Sequence, residues 1–375
     1  MKIVIVSLYF YPKLGPRPHR TTELAKEFAS RGHEVVVYAL LGDYDYSEYS
    51  QKTGIRFESL GKPKLGLADS KIKSNIFHKA FTKFIGKKYL NFPQIELMGM
   101  VAKALKKEGR IDYLISIAFP HSIHWGIARY MKKAPGQINF WVADCGDPFM
   151  GNPFHKPPFY FERLERNWCK LCNYISIPVK EAKNAYYPEY HNKIKVIPQG
   201  FDFNVKTSNY KPNKIPTFAY SGAVYKDLRD PSAFLEFLFK QNYDFKFIVY
   251  TRTTSHFEAY FEKLKDRLEI RDYVNRDKLL LELSKMDFLI NIENKSNVQA
   301  PSKLIDYALT QRPILNITSE FKESATFNQF IFGDYSNQLI IKNIEDFNIK
   351  NIVDKFLMLK YEKNKDYNIS KNQII

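Results

Sequence analysis

The sequence is poor in cysteine, with three in 375 residues, and this small odd number argues against a framework of disulfides and for a reducing compartment. It also lacks any apolar run that approaches the length of a membrane span. Met1 leads directly into the apolar segment KIVIVSL, which predicts a chain without a signal peptide. These absences predict a cytoplasmic location.

Acidic residues are outnumbered by basic ones. Asp and Glu total 40 against 57 Lys and Arg, which gives a formal net charge of +17. Such an excess favours an anionic partner, whether nucleic acid, acidic lipid or a phosphorylated substrate. The 25 tyrosines and 30 phenylalanines are spread through the apolar segments. We therefore interpret most of them as core rather than as base-stacking residues, and expect no nucleic-acid partner.

The length of 375 residues predicts two domains, each with its own hydrophobic core. At the N-terminus, a strand over 2–8, a helix over 20–31 and a strand over 33–40 form a βαβ pattern. Gly32 follows the helix as a C′ glycine. Short apolar strands and helices continue to alternate along the chain, which predicts an α/β fold with parallel strands.

The most informative segment, residues 287–317, has the pattern strand, polar loop, helix, strand. Pro301 suits the first helical turn, and Ser302 can cap the free amides. The start of a helix attracts phosphate, and Lys303 adds a full positive charge there. Asp306 lies on the same helix face, where its carboxylate can accept two hydrogen bonds from a ribose diol. The segment therefore predicts a nucleotide site.

Within this segment, PSKLIDYALTQRPIL resembles the nucleotide-sugar segment of retaining glycosyltransferases of the GT-B, family-four type (glycosyl transferases group 1). The resemblance implies two Rossmann-like domains facing each other across a cleft, with the donor on the second domain. It also implies that Asp306 binds the donor ribose, that anomeric configuration is retained, and that no metal or other cofactor is required. Many members carry a second glutamate eight residues earlier. Val298 stands there in this chain, and whether Glu293 substitutes for it is open.

The family pattern also predicts domain boundaries. The segment VIPQGFD resembles V-I-P-N-G-V-D, which closes the first domain in the family, so an acceptor domain is expected over residues 1–203. Residues 204–216 are the predicted linker, and 217–359 the predicted donor domain. Residues 360–375 are expected to cross back onto the first domain.

On the donor side, a predicted strand ends at Gly222, and a basic residue in the following loop contacts the donor diphosphate in the family. We predict Arg229 for this contact, with Lys226 as the second choice, because arginine makes bidentate phosphate contacts. The alternative is a helix-entry arginine paired with a neighbouring aspartate.

On the acceptor side, the first loop contains Gly15, Arg17 and His19 and leads into a helix at Arg20. This order, followed by RGHEVVV, also resembles the start of many GT-B enzymes. We predict that these residues contact an acceptor or a donor phosphate. The alternative is a plain strand-to-helix turn with exposed basic residues.

Two further strands end in polar loops that are expected at the same cleft. The segment ADCGDPF resembles A-D-x-R-D-P-W of the family, with Gly146 in place of the arginine. The resemblance assigns Asp147 or Asp144 to the reacting sugar or the acceptor hydroxyl, and helix capping is the alternative. His121 and His124 follow the preceding strand and can bind phosphate or donate protons, with a structural role as the alternative.

No metal site is predicted. The histidines have no convincing ligand spacing, and Cys169 with Cys172 lacks a second pair, so we interpret both cysteines as buried helix surface. The D-x-D at Asp43 and Asp45 lies in a Tyr- and Asp-rich loop and is a weak candidate for a divalent ion.

Residues 70–90 form a basic amphipathic pattern, with apolar residues at helical spacing and lysines on the flanks. Such a helix can lie on an anionic membrane surface, where each lysine contributes about 1 kcal/mol. The alternative is a core-packed helix with a solvated basic back. The predicted peripheral contact, with the inner face of the membrane, uses Lys71, Lys73, Lys79, Lys83, Lys87 and Lys88.

These patterns predict a hexosyl-type glycosyltransferase that moves a sugar from a nucleotide-sugar donor to a glycan or lipid-linked acceptor, in surface polysaccharide or glycolipid assembly. Two rivals stay open. A nucleotide-sugar epimerase or hydrolase shares the architecture and needs no acceptor. A non-enzymatic basic polymer-binding protein would bind an anionic polymer in a salt-sensitive way without the nucleotide site.

Overall fold

The structure is a computed structural model, and it describes residues 1–64, 91, 93–153, 156–224, 229–272, 274–293 and 302–372. The predicted basic helix over 70–90, with its six lysines, lies outside the described residues, as do Lys226 and Pro301. In the part of the chain that is described, no helix is both long enough and apolar enough to cross a membrane.

The chain divides into two compact units. Residues 1–200 with 347–375 form the N-unit, and residues 201–346 form the C-unit. The predicted linker, 204–216, belongs to the C-unit, where the Tyr210 hydroxyl donates to Asp287 Oδ1 at 2.6 Å and the Asn213 N–H donates to the same oxygen at 3.1 Å. The chain returns to the N-unit at residue 347, earlier than the expected 360.

The N-unit contains a seven-stranded sheet with β1 (Lys2–Val6), β2 (Glu34–Ala39), β3 (Arg56–Ser59), β4 (Tyr113–Ala118), β5 (Trp141–Cys145), β6 (Tyr174–Ile177) and β7 (Ile194–Val196). The order is β3-β2-β1-β4-β5-β6-β7, and all neighbours run parallel. Strands of a parallel sheet are buried on both faces, which is why β1 and β4 have nearly uninterrupted apolar sequences. Among the described residues before the C-unit, the helices are α1 (Pro16–Ser30), α2 (Ser47–Thr53), α3 (Glu96–Ala104), α4 (Ser122–Lys133) and α5 (Glu162–Leu171).

Helix α1 begins at Pro16, earlier than the expected start at residue 20. Pro16 and Pro18 both lie in the first turn, where the missing proline N–H has no intrahelical acceptor to lose. Gly15 precedes the helix with a φ of +137°, a conformation that favours glycine. Arg17 and His19 are therefore helical residues rather than loop residues.

The C-unit contains a five-stranded parallel sheet with β8 (Thr217–Ser221), β9 (Lys246–Tyr250), β10 (Leu268–Arg271), β11 (Phe288–Ile292) and β12 (Ile314–Ile317). The order is β10-β9-β8-β11-β12. The described part of this unit contains the helices α6 (Ser232–Phe239), α7 (Ser255–Leu264), α8 (Arg276–Leu283), α9 (Ser302–Leu309) and α10 (Ser324–Ile331). The expected α/β class with two Rossmann-like domains is confirmed. Short 3-10 helices occur at Leu105–Lys107, Phe159–Phe161, Lys180–Ala185, Pro188–Lys193, Lys265–Arg267 and Ile344–Phe347.

The last helix, α11 (Ile349–Asn372), belongs to the N-unit. Ile352, Val353 and Phe356 are fully buried, and the Tyr113 hydroxyl of β4 donates to the Phe356 carbonyl at 2.7 Å. With Ile349, these residues follow the i, i+3, i+4, i+7 spacing of a core-facing helix. This apolar face explains why the chain returns before residue 360.

Candidate functional site

The sheet of the C-unit has its topological switch point between β8 and β11, because the chain extends from β8 to one side and later from β11 to the other. Ligands of open α/β sheets bind beyond the carboxyl ends of the strands at such a point. The two strands pair at only two positions, Phe288 with Phe218 and Leu289 with Ala219. The last residue of β8, Ser221, is instead bonded to a side chain of α9.

That side chain is Tyr307, which joins α9 to the end of β8. Its hydroxyl accepts a hydrogen bond from the Ser221 N–H at 2.7 Å and donates to the Ser221 carbonyl at 3.3 Å. The ring is buried, and burial raises the pKa of Tyr307 far above its ordinary value. Tyr307 follows Lys303 by four residues, so it fixes the helix face on which Lys303 lies.

Lys303 is half-buried as a residue, but its Nζ atom is inaccessible and has no hydrogen-bond partner in the described part of the chain. This nitrogen lies 4.4 Å from the centroid of the Tyr220 ring, a cation–π contact that compensates part of the lost hydration. Burial, and after it the charge of Arg229, holds the pKa of Lys303 well below its ordinary value. A buried ammonium beside a second cation is stabilised by an anion, and by a polyvalent anion most of all.

Gly222 follows β8 with a φ of +140°, and its N–H donates to the Tyr250 carbonyl at 3.0 Å. A Cβ at this position would lie 3.3 Å from the Tyr220 hydroxyl and 3.9 Å from Lys303 Cδ. The glycine therefore suits both the backbone turn and the close approach of the Lys303 side chain. After the residues outside the description, the chain resumes at Arg229, which is half-buried.

Asp306 forms an ion pair that the sequence did not predict. Arg276, the first residue of α8, donates from Nε to Asp306 Oδ1 at 2.8 Å, and its terminal nitrogens donate to the Asp202 carbonyl at 3.3 Å. The two side chains of the pair are 22% and 20% exposed. The pair orients the Asp306 carboxylate on the face of α9 that also carries Lys303.

Tyr307 and Arg276 are thus the residues of this site that sequence reasoning missed. Tyr307 had a signal, since it lies in the segment that carries the family resemblance, four residues after Lys303. Arg276 had only a helix-start signal, the Asn275 cap whose side chain accepts from the Lys278 N–H at 2.9 Å. Nothing local in the sequence connects Arg276 with Asp306.

In the N-unit, Asp144 and Arg20 form a buried ion pair, 2% and 3% exposed. Arg20 donates from Nε to Asp144 Oδ2 at 3.1 Å and from a terminal nitrogen to Oδ1 at 2.7 Å, and it also donates to the carbonyls of Ile197 and Pro198. The Ser176 hydroxyl donates to Asp144 Oδ1 at 2.6 Å. These bonds tie α1 to β5, β6 and the chain after β7. Asp144 and Arg20 are both buried and hydrogen-bonded within the fold, and their direct contact with a substrate stays a prediction.

Arg17 lies beside this pair. One terminal nitrogen is 3.9 Å from Asp144 Oδ2, and the side chain is 25% exposed. Burial, opposed by the charge of Asp144, lowers the pKa of Arg17. Its guanidinium occupies the space left by Gly146, since a Cβ there would lie 2.3 Å from Arg17 Cζ. Where the resembled segment has an arginine, this chain therefore has a glycine covered by an arginine from α1.

The remaining predicted site residues of the N-unit differ in their exposure to solvent. Asp147 is exposed, and Gly15 and His19 lie at the start of α1, where the His19 N–H donates to the Gly15 carbonyl at 3.0 Å. His121 is only 1% exposed, and its Nε2 bonds to the Asp147 carbonyl at 2.9 Å. Burial lowers the pKa of His121 to about 4, so the ring is neutral and Nε2–H is the donor. His121 thus holds the loop that carries Asp147, and its contact with an acceptor stays a prediction.

His121 belongs to a buried cluster with His124 and Cys145. One nitrogen or sulfur atom of each residue lies within 4.8 Å of the other two. His124 Nδ1 is 2.8 Å from Ser116 Oγ, and His124 Nε2 is 3.4 Å from Cys145 Sγ. His121 Nδ1 is buried without a hydrogen-bond partner among the described residues. Cys169 and Cys172 are buried and reduced, as interpreted from the sequence.

Comparison of the sequence with protein-family models gives no match, and neither does comparison with curated protein sequences. Solved structures do match. A glycosyltransferase from Rickettsia africae aligns with a TM-score of 0.63 at 13% identity, over 96% of this chain and 98% of that one. The Anabaena protein Alr3699/HepE, solved with UDP and glucose, aligns with a TM-score of 0.62 at 10% identity, over 96% of this chain and 100% of that one.

An epimerase matches as well. UDP-GlcNAc 2-epimerase from Neisseria meningitidis, solved with UDP-GlcNAc, aligns with a TM-score of 0.56 at 11% identity, over 96% of this chain and 100% of that one. Identities this low establish the fold alone. The chain therefore has the GT-B fold, with two Rossmann-like domains, and that fold alone does not distinguish transfer from epimerisation.

Proposed function

We propose that the chain is a glycosyltransferase whose C-unit binds a nucleotide-sugar donor. The observation that carries the proposal is the Lys303 ammonium, buried without a hydrogen-bond acceptor among the described residues and within the field of Arg229. These cations lie at the switch point of the sheet and at the start of α9, where a diphosphate is the expected anion. The presence of UDP in the HepE structure supports the same class of ligand.

The pentose of the donor is assigned to Asp306. Its carboxylate lies one helical turn after Lys303 and is held by Arg276 Nε at 2.8 Å. A carboxylate at this spacing from a diphosphate accepts hydrogen bonds from the two ribose hydroxyls. Arg276 acts through Asp306 and is a positioning residue in this proposal.

During transfer, the bond between the anomeric carbon and the diphosphate oxygen breaks, and negative charge develops on the leaving group. Lys303, Arg229 and the N-terminal amides of α9 stabilise this charge, because they are fixed before the reaction begins. The acceptor hydroxyl forms the new bond to the anomeric carbon, and its proton passes to the leaving diphosphate, so the products are the glycoside and the nucleoside diphosphate. Asp147, the exposed carboxylate after β5, is the residue of the N-unit that we assign to the acceptor hydroxyl or the reacting sugar.

The finer assignments rest on the sequence resemblance. We propose a hexosyl donor, retention of configuration, and a reaction that needs no metal or other cofactor. The proposed acceptor is a glycan or a lipid-linked glycan in surface polysaccharide or glycolipid assembly, at the cytoplasmic side of a membrane. The net charge of +17 supports an anionic or lipid-linked partner. Arg17 and His19, at the start of α1, are the proposed acceptor contacts, together with Gly15.

A thermal-shift panel of UDP-, GDP-, ADP- and CMP-sugars tests the donor assignment. Saturating donor is expected to stabilise the protein by a few kcal/mol, about 2.7 kcal/mol at one hundred times its dissociation constant. Asp306→Asn is expected to abolish this shift. Binding of an anionic polymer that persists in Asp306→Asn, with no shift by any nucleotide sugar in the wild type, would establish the polymer-binding alternative instead.

The structural match to an epimerase keeps one enzymatic alternative. Incubation of the selected donor without acceptor separates the two. A transferase leaves the donor largely intact until an acceptor is added, whereas an epimerase changes the configuration of the sugar and a hydrolase releases it. Rapid acceptor-independent conversion would therefore replace the transferase assignment.

A further inference from the structure

The geometry points to a metal site in the N-unit: we propose that His121, His124 and Cys145 bind one zinc ion. The three side chains are 1%, 0% and 1% exposed, and one ligand atom of each lies within 4.8 Å of the other two. The site contains none of the proposed donor-binding residues, which lie in the C-unit.

The fold brings these residues together through neighbouring strands. Ala118, the last residue of β4, is the register partner of Cys145, the last residue of β5. His121 is the N-cap residue of α4, and His124 lies in the first turn of that helix. Two histidines three residues apart therefore approach a cysteine that follows them in sequence by more than twenty residues.

Each histidine uses its other ring nitrogen in the way that metal ligands do. A ligating imidazole usually donates its second N–H to an oxygen, which fixes the ring and its tautomer. His121 Nε2 donates to the Asp147 carbonyl at 2.9 Å, and His124 Nδ1 lies 2.8 Å from Ser116 Oγ. This leaves His121 Nδ1 and His124 Nε2 for the ion, and the former is buried with no hydrogen-bond partner among the described residues.

The distances and ligand types fit zinc. Bonds of about 2.0 Å to nitrogen and about 2.3 Å to sulfur place the two atoms about 3.5 Å apart in a tetrahedral site. His124 Nε2 and Cys145 Sγ are 3.4 Å apart. Imidazole with thiolate selects zinc over magnesium or calcium, which take oxygen ligands. Binding releases the Cys145 thiol proton to solvent, one proton per ion.

The surroundings are those of a closed structural site. The Trp168 ring lies 4.7 Å from the His124 ring, and the Phe149 ring lies 5.4 Å from the His121 ring, centroid to centroid. The Tyr186 hydroxyl is buried as well and lies beside Cys145. The ion would brace the loop carrying Asp147 through His121.

The alternative is that hydrogen bonds alone hold these side chains, in which case the protein binds no ion at this place. Trp141 Nε1 donates to Ser116 Oγ at 2.8 Å, and a chain of hydrogen bonds can continue through His124 to the Cys145 sulfur. That chain satisfies His124 but gives His121 Nδ1 no partner. The two arrangements differ in whether the wild-type protein takes up an ion at all.

The test uses the full chain, stripped with a chelator and titrated with Co²⁺ as an optical probe, followed by competition with Zn²⁺. We expect one Co²⁺ per chain, with the charge-transfer absorption of a cobalt–thiolate bond, displaced by one Zn²⁺ with release of no further proton. Cys145→Ser is expected to abolish the charge-transfer band. Cys169→Ser is the matched control, a cysteine buried in the same core cluster, and it should keep the band.

Two further readouts separate binding from folding. Zn²⁺ is expected to raise the melting temperature of the stripped wild type by a few degrees and that of Cys145→Ser not at all. Ser116→Ala is expected to lower the Zn²⁺ affinity about tenfold or more, because it removes the bond that orients His124. Wild-type protein that binds no stoichiometric Co²⁺ overturns the proposal whatever the variants do. So does a thiolate band that survives Cys145→Ser and disappears in Cys169→Ser.

Discussion

Each unit has a buried basic group near the carboxyl ends of its parallel strands. The two groups differ in whether the fold supplies their hydrogen-bond partners. In the C-unit, Lys303 is buried, and its Nζ has no hydrogen-bond partner in the described part of the chain. In the N-unit, the Arg20 side chain is also buried, but Asp144 and two backbone carbonyls accept its hydrogen bonds. The first arrangement is stabilised by an external anion, whereas the second is complete within the fold.

This difference shows why residue type and position are not enough to identify a binding residue. Both basic residues lie near strand ends, where ligands of α/β sheets bind. What separates them is whether the fold supplies the counter-charge. Each of the following predictions changes a charged group or its immediate surroundings in one of the two units.

The largest expected effect is on the compensated pair. Arg20→Met removes one partner of a buried ion pair and leaves Asp144 uncompensated, which typically costs about 3–5 kcal/mol. All three tryptophans of the sequence lie in the N-unit, so urea unfolding followed by tryptophan fluorescence reports this unit. Arg17→Met is the control, because Arg17 is 3.9 Å from Asp144 and partly exposed. Equal losses in the two variants would contradict the assignment of Arg20 to the fold.

A second prediction concerns a buried acid with no cationic partner in the described part of the N-unit. Glu165 is fully buried, and burial raises its pKa to about 7 even though the Tyr187 hydroxyl donates to it. The folded state therefore holds this proton more tightly than the unfolded state, in which a glutamate has its ordinary pKa of about 4.3. Stability is expected to fall as pH rises through this interval, by at most about 3 kcal/mol.

Glu165→Gln removes the titration and is expected to flatten the pH dependence of N-unit stability. The measurement is the urea midpoint by tryptophan fluorescence at pH values on both sides of the interval. Glu181→Gln serves as the control, because Glu181 is an exposed acid of the same unit. A wild-type stability that rises with pH, with no difference for Glu165→Gln, would be the contrary result.

The third prediction is the pH dependence of donor binding. The pKa of Lys303 is lowered without a ligand, and a bound diphosphate raises it, so binding above the unliganded pKa takes up a proton. The affinity is expected to fall about tenfold per pH unit between the unliganded and liganded pKa values. Lys303→Arg is expected to bind without this dependence, because arginine stays charged. Calorimetry in buffers of different ionisation enthalpy counts the protons, and a pH-independent wild type would contradict the prediction.

The smallest effect is expected at Gly146. A Cβ there meets the Arg17 guanidinium, a flexible side chain, so Gly146→Ala should cost about 1 kcal/mol of N-unit stability. Arg17→Ala in the same chain should recover most of that loss, which a double-mutant cycle measures. Gly109→Ala, with no atom within 4 Å of the added Cβ, is the matched control. Additive effects of the two substitutions would show that Arg17 and Gly146 do not interact.

Local sequence patterns were sufficient for the fold. The apolar runs predicted the strands, and the proline and the capping serine at positions 301 and 302 predicted the start of α9. One boundary was wrong because a rule was not applied throughout the chain. Proline suits the first turn of a helix, and this rule was used for Pro301 but not for Pro16 and Pro18, which lie in the first turn of α1. Helix α10 was missed because its buried residues, Phe327, Phe330 and Ile331, follow a segment with weak periodicity.

Side-chain partners across the sequence were beyond prediction. Arg276 and Asp306 are thirty positions apart, and Arg20 and Asp144 far more, so their pairing depends on how strands order within a sheet. The burial of His121 also depends on residues distant in sequence, since the Trp168 ring of α5 packs near its ring. A pattern specifies which side chains stand at a strand end, and the packing around them decides which ones meet solvent.

The most direct test of the account is a calorimetric titration of the nucleotide sugar selected by the thermal-shift panel into wild-type protein and Lys303→Met. We expect one site in the wild type and an affinity about 10- to 100-fold lower in the variant, since hydrogen bonds to charged groups contribute about 1.5–3 kcal/mol. The thermal stability of the unliganded variant should be unchanged or higher, because a buried charge is removed. Equal affinity in the two proteins would contradict the assignment of Lys303 to the donor diphosphate.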